Sequence, residues 1–264
     1  MNCALCGMRP AIETGHVIPK MVYRYLIKTT PTRFLRTTQN PNVRVQDGEK
    51  FPFLCQPCED MLGGWETQFT RHVFHPIHRD GIFDRCKPFS YHEWLLRFAV
   101  SISWRSLFDL MRGSAPHEAL PHGDSPRARD ALENWRQYLI GKRRELSGCD
   151  QHLVFFGTPT STSGLQNGSD LALYLNRAVT HCTFHSDTGS YVFTKLCRIV
   201  VVGTLKDTLR QWRGTKINPT GGVFTFGDQV VSGVMFSGSR KMSAACNRRV
   251  GRLVIGNMTS WIRR

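Results

Sequence analysis

The chain has 264 residues, 41% of them hydrophobic, with 35 Lys and Arg against 20 Asp and Glu for a formal charge of +15. That apolar share is ample for one large packed domain or two smaller ones. No run approaches the ~18 apolar residues of a membrane-spanning helix. The longest stretch, Leu95 to Val100 and on to Trp104, is broken by Arg97, Ser101 and Ser103. Met1-Asn2-Cys3-Ala4-Leu5-Cys6 carries neither the basic nor the apolar region of a signal peptide, so a cytoplasmic protein with no membrane partner is expected. In that reducing setting nine cysteines read as thiols and metal ligands rather than as disulfides.

The charge is unevenly spread. Residues 149–264 hold 14 basic and 5 acidic side chains, against 12 and 8 in residues 1–90 and 9 and 7 in residues 91–148. An excess concentrated in the last third fits a polyanion, so nucleic acid is the expected partner. A basic face that docks an acidic protein is the alternative.

Three zones follow one another, and the fold class they predict is α+β. The first, 1–88, contains two short-spaced cysteine pairs, Cys3-x-x-Cys6 and Cys55-x-x-Cys58. Each pair sets two thiolates on one tight turn, and together they supply the four corners of a structural zinc site. Closing the 48 intervening residues costs roughly 3.4 kcal/mol plus a constant. Structural zinc contributes on the order of 10–16 kcal/mol in finger peptides, so the long insertion is affordable. Beyond the second pair, Glu59 and Asp60 suit a first helical turn, and Leu62, Trp65, Phe69 and Val73 recur at helical spacing. Gly63-Gly64 is awkward in mid-helix, at up to about 1 kcal/mol each, and predicts a close approach by another element.

The second zone, 89–148, is a connector of two helices. Ser90 with Glu93 predicts a capping box, and Trp94, Leu95, Phe98, Ile102, Leu107, Phe108 and Met111 form its apolar face. After a loop over 113–123, Ser125-Pro126 opens a second helix with Leu132, Trp135 and Leu139 inward, ended by Gly141 or Gly148.

The third zone, 149–264, reads as a basic, mainly antiparallel β region. Strands are predicted over 152–156, 181–185, 191–205, 222–226, 230–236 and 251–255, with a short helix over 170–178. Ile199-Val200-Val201-Val202 does not alternate and so predicts a central strand covered on both faces. Cys86, Cys149, Cys182, Cys197 and Cys246 stand singly and read as buried small hydrophobes. Arg240, Lys241, Arg248, Arg249 and Arg252 form the densest basic set, suited to phosphate contacts. His181 and His185 share one strand face and are a weaker candidate for a second metal site. The hydroxyl-rich stretch 157–164 suits either an anion nest or a surface loop.

Cys-x-x-Cys, then Gly15-His16-Val17-Ile18-Pro19-Lys20, then Leu54-Cys55-Gln56-Pro57-Cys58-Glu59 resembles the HNH endonuclease family over roughly residues 3 to 75. The run through Met21-Val22-Tyr23-Arg24 and the Cys-Glu helix looks like a bacterial and phage subgroup of HNH-like proteins. The resemblance implies an N-terminal ββα-metal fold and a metal-dependent endonuclease that hydrolyses DNA phosphodiester bonds. His16 then matches the general base, a role imidazole suits because histidine ordinarily titrates near neutrality. Glu59 would hold a catalytic Mg²⁺ or Mn²⁺ distinct from the zinc, and Lys20 and Arg24 would contact nucleic acid. The chain departs from the family where Gly15 replaces a ligand before the base, where Glu59 replaces a histidine, and where Lys50-Phe51-Pro52-Phe53 lacks the usual asparagine. Glu13, Asp47, Glu66, His72 and His75 are the remaining candidates for a missing ligand. The alternative is a catalytically inactive zinc-scaffolded module that binds nucleic acid or assembles with a protein partner in a bacterial defence or phage system.

Overall fold

The computed structural model describes residues 1–12, 14–37, 40, 42–79, 88–112, 125–155, 176–186, 189–206, 214–224 and 254–255. The chain is a mixed α+β protein with its cysteine cluster at the N-terminal end. Among the described residues, no helix is long and apolar enough to cross a membrane.

Near the N-terminus the Gly7 amide donates to the Cys3 carbonyl at 2.8 Å, and a φ of +75° at Gly7 closes the turn in a region that favours glycine. Strand β1 (Gly15–His16) pairs antiparallel with β3 (Lys50–Phe51), matching Gly15 to Phe51 and His16 to Lys50. Between them lie α1 (Lys20–Thr29) and β2 (Arg36–Thr37). Helix α1 follows Pro19 and is amphipathic. Val22, Tyr23 and Leu26 are buried, while Lys20, Arg24 and Lys28 form an exposed basic stripe at intervals of four.

Helix α2 (Gln56–Phe69) starts directly after Cys55, with Pro57 in its first turn, where no backbone donor is lost. It buries Leu62 and Phe69 and continues through a π-helical turn, Thr70–Phe74, into the short α3 (His75–His78). The expected close approach at Gly63 and Gly64 is not found. A Cβ at either position would meet nothing within 4 Å, so the pair is explained by no neighbour.

The capping box is also corrected. Ser90 lies in β4 (Phe89–Tyr91), paired with Val223 of β9 (Gly222–Phe224), and α4 (Glu93–Arg112) begins three residues later. Sheet pairing has taken the residue that local sequence suggested as a cap. Helix α5 (Ser125–Leu139) buries Ala128, Ala131, Trp135 and Tyr138, and Gly141 with φ +75° turns the chain away from its end.

The remaining strands are β5 (Gln151–Phe155), β6 (Val179–Ser186), β7 (Gly189–Leu196), β8 (Ile199–Lys206) and β10 (Val254–Ile255). They join β2 in a six-stranded antiparallel sheet of order β2-β10-β6-β7-β8-β5. The expected strand over 191–205 is two strands, turned at Cys197-Arg198 with φ +60° at Cys197. Ile199, Val200, Val201 and Val202 are fully buried in β8, between β7 and β5. Cys149, Cys182 and Cys197 are buried, whereas Cys86 and Cys246 lie outside the described residues, as do the stretches 157–164 and 230–236 and most of 170–178.

Helix α4 crosses this sheet, and small polar side chains allow it to sit close. Ser103 hydrogen-bonds the side-chain amide of Gln151 at 2.7 Å, and Thr194 donates to Ser106 at 2.9 Å. Gly203 of β8 lies under α4 and α5, where a Cβ would come within 2.7 Å of Ser103 Oγ and the Trp135 ring. Both neighbours are buried and cannot yield freely. Gly203→Ala is therefore expected to destabilise the protein by about 1–3 kcal/mol, read as a lower denaturant midpoint with an unchanged slope.

Candidate metal centre and histidine site

The first turn of the chain and the start of α2 bring Cys3, Cys6, Cys55 and Cys58 together, their sulfurs all within 4.8 Å of one another. Cys6 Sγ and Cys55 Sγ are 3.7 Å apart. That is the edge of a tetrahedron whose centre lies ~2.3 Å from each sulfur, the thiolate–metal bond length. Burial raises the pKa of Cys6, but hydrogen bonds from the Met8 and Arg9 backbone and contacts with Cys3 and Cys55 more than offset it, bringing it to about 6. A sulfur of that kind is ready to bind as thiolate. The four cysteines form a centre capable of holding a metal ion.

Close by, His16 on β1 is buried to 7% exposure and its Nε2 lies 3.1 Å from Asp47 Oδ2. Burial raises the Asp47 pKa, but the bonds from His16 and the Gly48 amide, with the charges of His16 and Lys20, outweigh it and hold the carboxyl below its ordinary value. An ionised carboxylate only accepts, so the imidazole proton is on Nε2. Nδ1 carries the lone pair and has no partner among the described residues. Asp47, anticipated as one candidate metal ligand, is hydrogen-bonded to the histidine.

Arg105 of α4, 1% exposed, completes the surroundings. Its Nη1 donates to the His16 carbonyl at 3.1 Å and its Nε to the Ser101 carbonyl at 3.3 Å. Its Nη2 forms an ion pair with Glu66 Oε1 at 2.7 Å, without the alignment of a hydrogen bond. A buried guanidinium without such partners would cost several kcal/mol. The sequence offered a faint signal, since Arg105 sits among Ser101, Ser103 and Ser106 within an otherwise apolar helix.

Glu59 lies one turn into α2. Burial raises its pKa, Arg105 and His16 pull it down, and Glu66 pushes it up, leaving it above the ordinary glutamate value. Its Oε2 is buried with no hydrogen-bond partner, an orphan that calls for a water or an ion. Gly15 supplies no ligand, and a Cβ there would lie 2.6 Å from the Phe53 ring. Apart from the four cysteines, no group of three or more His, Cys, Asp or Glu converges among the described residues. The described residues therefore offer one orphaned carboxylate oxygen at Glu59 and no protein cage for a hard cation. His72 is exposed beside Trp94, and His75 packs near Phe74. Neither joins His16. Glu13, Arg240, Lys241, Arg248, Arg249 and Arg252 lie outside the described residues.

Asp47 also lines a cavity of about 370 Å³ between the β1–α1 connection, the segment leading to β3, and β6. His181 reaches this cavity from β6, its Nε2 2.9 Å from Asp109 Oδ2 of α4. The same carboxylate receives Arg112 Nη2 at 3.0 Å. His181 thus forms a second histidine–aspartate pair, while the side chain of His185, its anticipated companion, lies outside the described residues. Comparison of the chain with protein-family models, with curated proteins and with solved structures finds no match.

Elemental analysis of purified protein is expected to find about one thiophilic metal ion per chain, and Cys55→Ser or Cys58→Ser to lose both the ion and the fold of the N-terminal segment. A metal-free preparation with native unfolding behaviour would contradict this. Asp47, with its lowered pKa, contributes stability that is present above the ordinary carboxylate pKa and lost as pH falls through its own lower value. Asp47→Asn should therefore melt below the parent protein at pH 7, the gap closing in acid. A gap independent of pH would remove the charged pairing with His16.

Proposed function

We propose that the chain is a zinc-stapled, metal-dependent endonuclease of the HNH-like kind, which hydrolyses DNA phosphodiester bonds with His16 as general base. The observation that carries this reading is the His16–Asp47 pair, 3.1 Å apart, with Nδ1 unpartnered among the described residues. The local architecture supports it as well. Two short paired strands, β1 and β3, lead straight into a cysteine knuckle and then into α2 bearing Glu59. Zinc is the metal we assign to the four cysteines, because a tetrahedral all-thiolate set suits it and leaves no open position for chemistry.

Asp47 keeps the imidazole proton on Nε2, so Nδ1 is free to take a proton from the attacking water, and the imidazolium formed is stabilised by the same carboxylate. Arg105 fixes the His16 backbone against α4, limiting the reorganisation needed during the transfer. A divalent ion held by Glu59 and the substrate would supply charge stabilisation at the phosphate and leaving oxygen. Lys20, Arg24 and Lys28 run along the exposed side of the helix that follows His16 and would track the phosphate backbone. Arg240, Lys241, Arg248, Arg249 and Arg252 would extend that contact. Such contacts position the duplex without reading its sequence.

A second reading is favoured by the low exposure of His16 and the complete burial of Arg105 beside it. There the module is an inactive zinc scaffold that binds nucleic acid or assembles with a partner in a bacterial defence or phage complex.

Cleavage of supercoiled and single-stranded DNA with Mg²⁺ or Mn²⁺ separates the two. Wild type should cleave, and His16→Ala at equal zinc content should lose about 10²–10⁴-fold in rate, the usual range for general-base catalysis. Equal rates for both proteins would move the chemistry away from His16. DNA binding without cleavage by wild type would select the scaffold.

A further inference from the structure

The cavity beside Asp47 has a chemistry of its own. Val17, Ile18, Val45 and Val179 give it apolar walls. Its polar edge includes Asp47, Glu49, Thr37, Asn40, Thr180 and His181, and among the described residues its lining contains no lysine or arginine. A phosphate or other anion would meet the two carboxylates at the wall, their cationic partners lying behind it, so the cavity is not a seat for the nucleic-acid backbone.

A cation is also poorly matched, because the carboxylates are already neutralised from outside the cavity. Asp47 accepts from His16 at 3.1 Å and lies 3.6 Å from Lys50 Nζ. Glu49 lies 3.8 Å from Arg112, whose guanidinium stacks over Phe51 at 3.5 Å and also pairs with Asp109. Asp109 in turn holds the Nε2 proton of His181, leaving His181 Nδ1 as an acceptor. Acceptor lone pairs thus outnumber fixed donors, while the charge is balanced behind them. The ligand such a surface selects is neutral, has apolar faces, and carries N–H groups along one edge.

We propose that this cavity receives an amino-bearing nucleobase, adenine, guanine or cytosine, from a strand bound at the His16 site. Its ring faces lie against the valine walls, and the two N–H groups of its exocyclic amine donate to acceptors on the edge that Asp47, Glu49 and His181 form. The volume, about 370 Å³, is at the small end of ligand pockets and accommodates one base with part of its sugar. A base enters such a site only from a single strand or after leaving the stack, so duplex ends, mismatches and unpaired segments become the preferred substrates. Thymine is disfavoured because it has no amino group to donate and its two carbonyl groups would face the Asp47 and Glu49 carboxylates. This inference rests on the proposed action on nucleic acid, because Asp47 belongs both to the cavity and to the histidine pair.

Free nucleosides test it without any cleavage step. In calorimetric or equilibrium-dialysis titrations of the full chain, adenosine, guanosine and cytidine should bind about tenfold or more tightly than thymidine, the order expected for two hydrogen bonds lost. Val45→Trp, which fills the cavity, and His181→Leu, which withdraws an acceptor from its edge, should each weaken binding by about tenfold or more. The two variants alter different elements, so a folding defect in one leaves the other informative. Thymidine binding as well as the others, unchanged affinity in both variants, or no binding of any nucleoside would overturn the proposal. Nucleoside binding by a protein whose cleavage is insensitive to His16→Ala would retain the pocket and discard only the assignment of the base.

Discussion

The buried guanidinium of Arg105 joins three parts of the chain. It holds the carbonyl of His16 on the first hairpin, the carboxylate of Glu66 on α2 and the carbonyl of Ser101 on its own helix. Each contact answers part of the large desolvation cost of a cation with 1% exposure. The arrangement is conditional. Removing any partner would leave a buried charge short of its counterpart, so hairpin, α2 and α4 are held in a single relative placement. Because α4 also lies across β5 to β8, the same guanidinium ties the cysteine-bearing segment to the large sheet.

Charge elsewhere in the site follows a consistent pattern of balance from behind. His16 and Lys50 face Asp47, Arg112 faces both Glu49 and Asp109, and Asp109 faces His181. Carboxylates that would repel one another around Tyr23 are each given a cation or an imidazole. Gly48 contributes sterically, because a Cβ at that position would lie 1.9 Å from the Tyr23 ring. The Asp47-Gly48-Glu49 turn can therefore press onto the ring and deliver Asp47 to His16. Among the described residues, Oε2 of Glu59 is a buried carboxylate oxygen left without a hydrogen-bond partner.

Local chemistry accounts for much of the architecture that was legible in advance. The cysteine spacing identified the metal-capable centre, because two thiolates three positions apart already share one turn. The helix after Cys58 and the burial of Ile199 to Val202 followed from hydrophobic period and continuity alone. Where prediction failed, a non-local contact overrode a local preference. Ser90 left its cap for a ladder with Val223, and the run 191–205 folded back at Cys197 to pair with itself. Gly63-Gly64 failed differently, having no close neighbour at all.

The candidate site divides along the same line. His16 and Glu59 were singled out by sequence because they flank recognisable spacings, and the basic excess of the C-terminal third is a matter of composition. Their relationships were not legible. Asp47 lies 31 residues from His16, Arg105 lies 89 residues from it, and Asp109 lies 72 residues from His181. A hydrogen bond across such a separation leaves no periodicity or spacing in the chain, since the intervening residues constrain neither its length nor its direction. The sequence by itself determined which groups are available to bind a metal, carry a proton or meet a phosphate. Tertiary structure alone decided that Asp47 hydrogen-bonds His16, that a buried arginine stands beside Glu66, and that a second histidine faces the neighbouring cavity, because only packing fixes distances between residues remote in the chain.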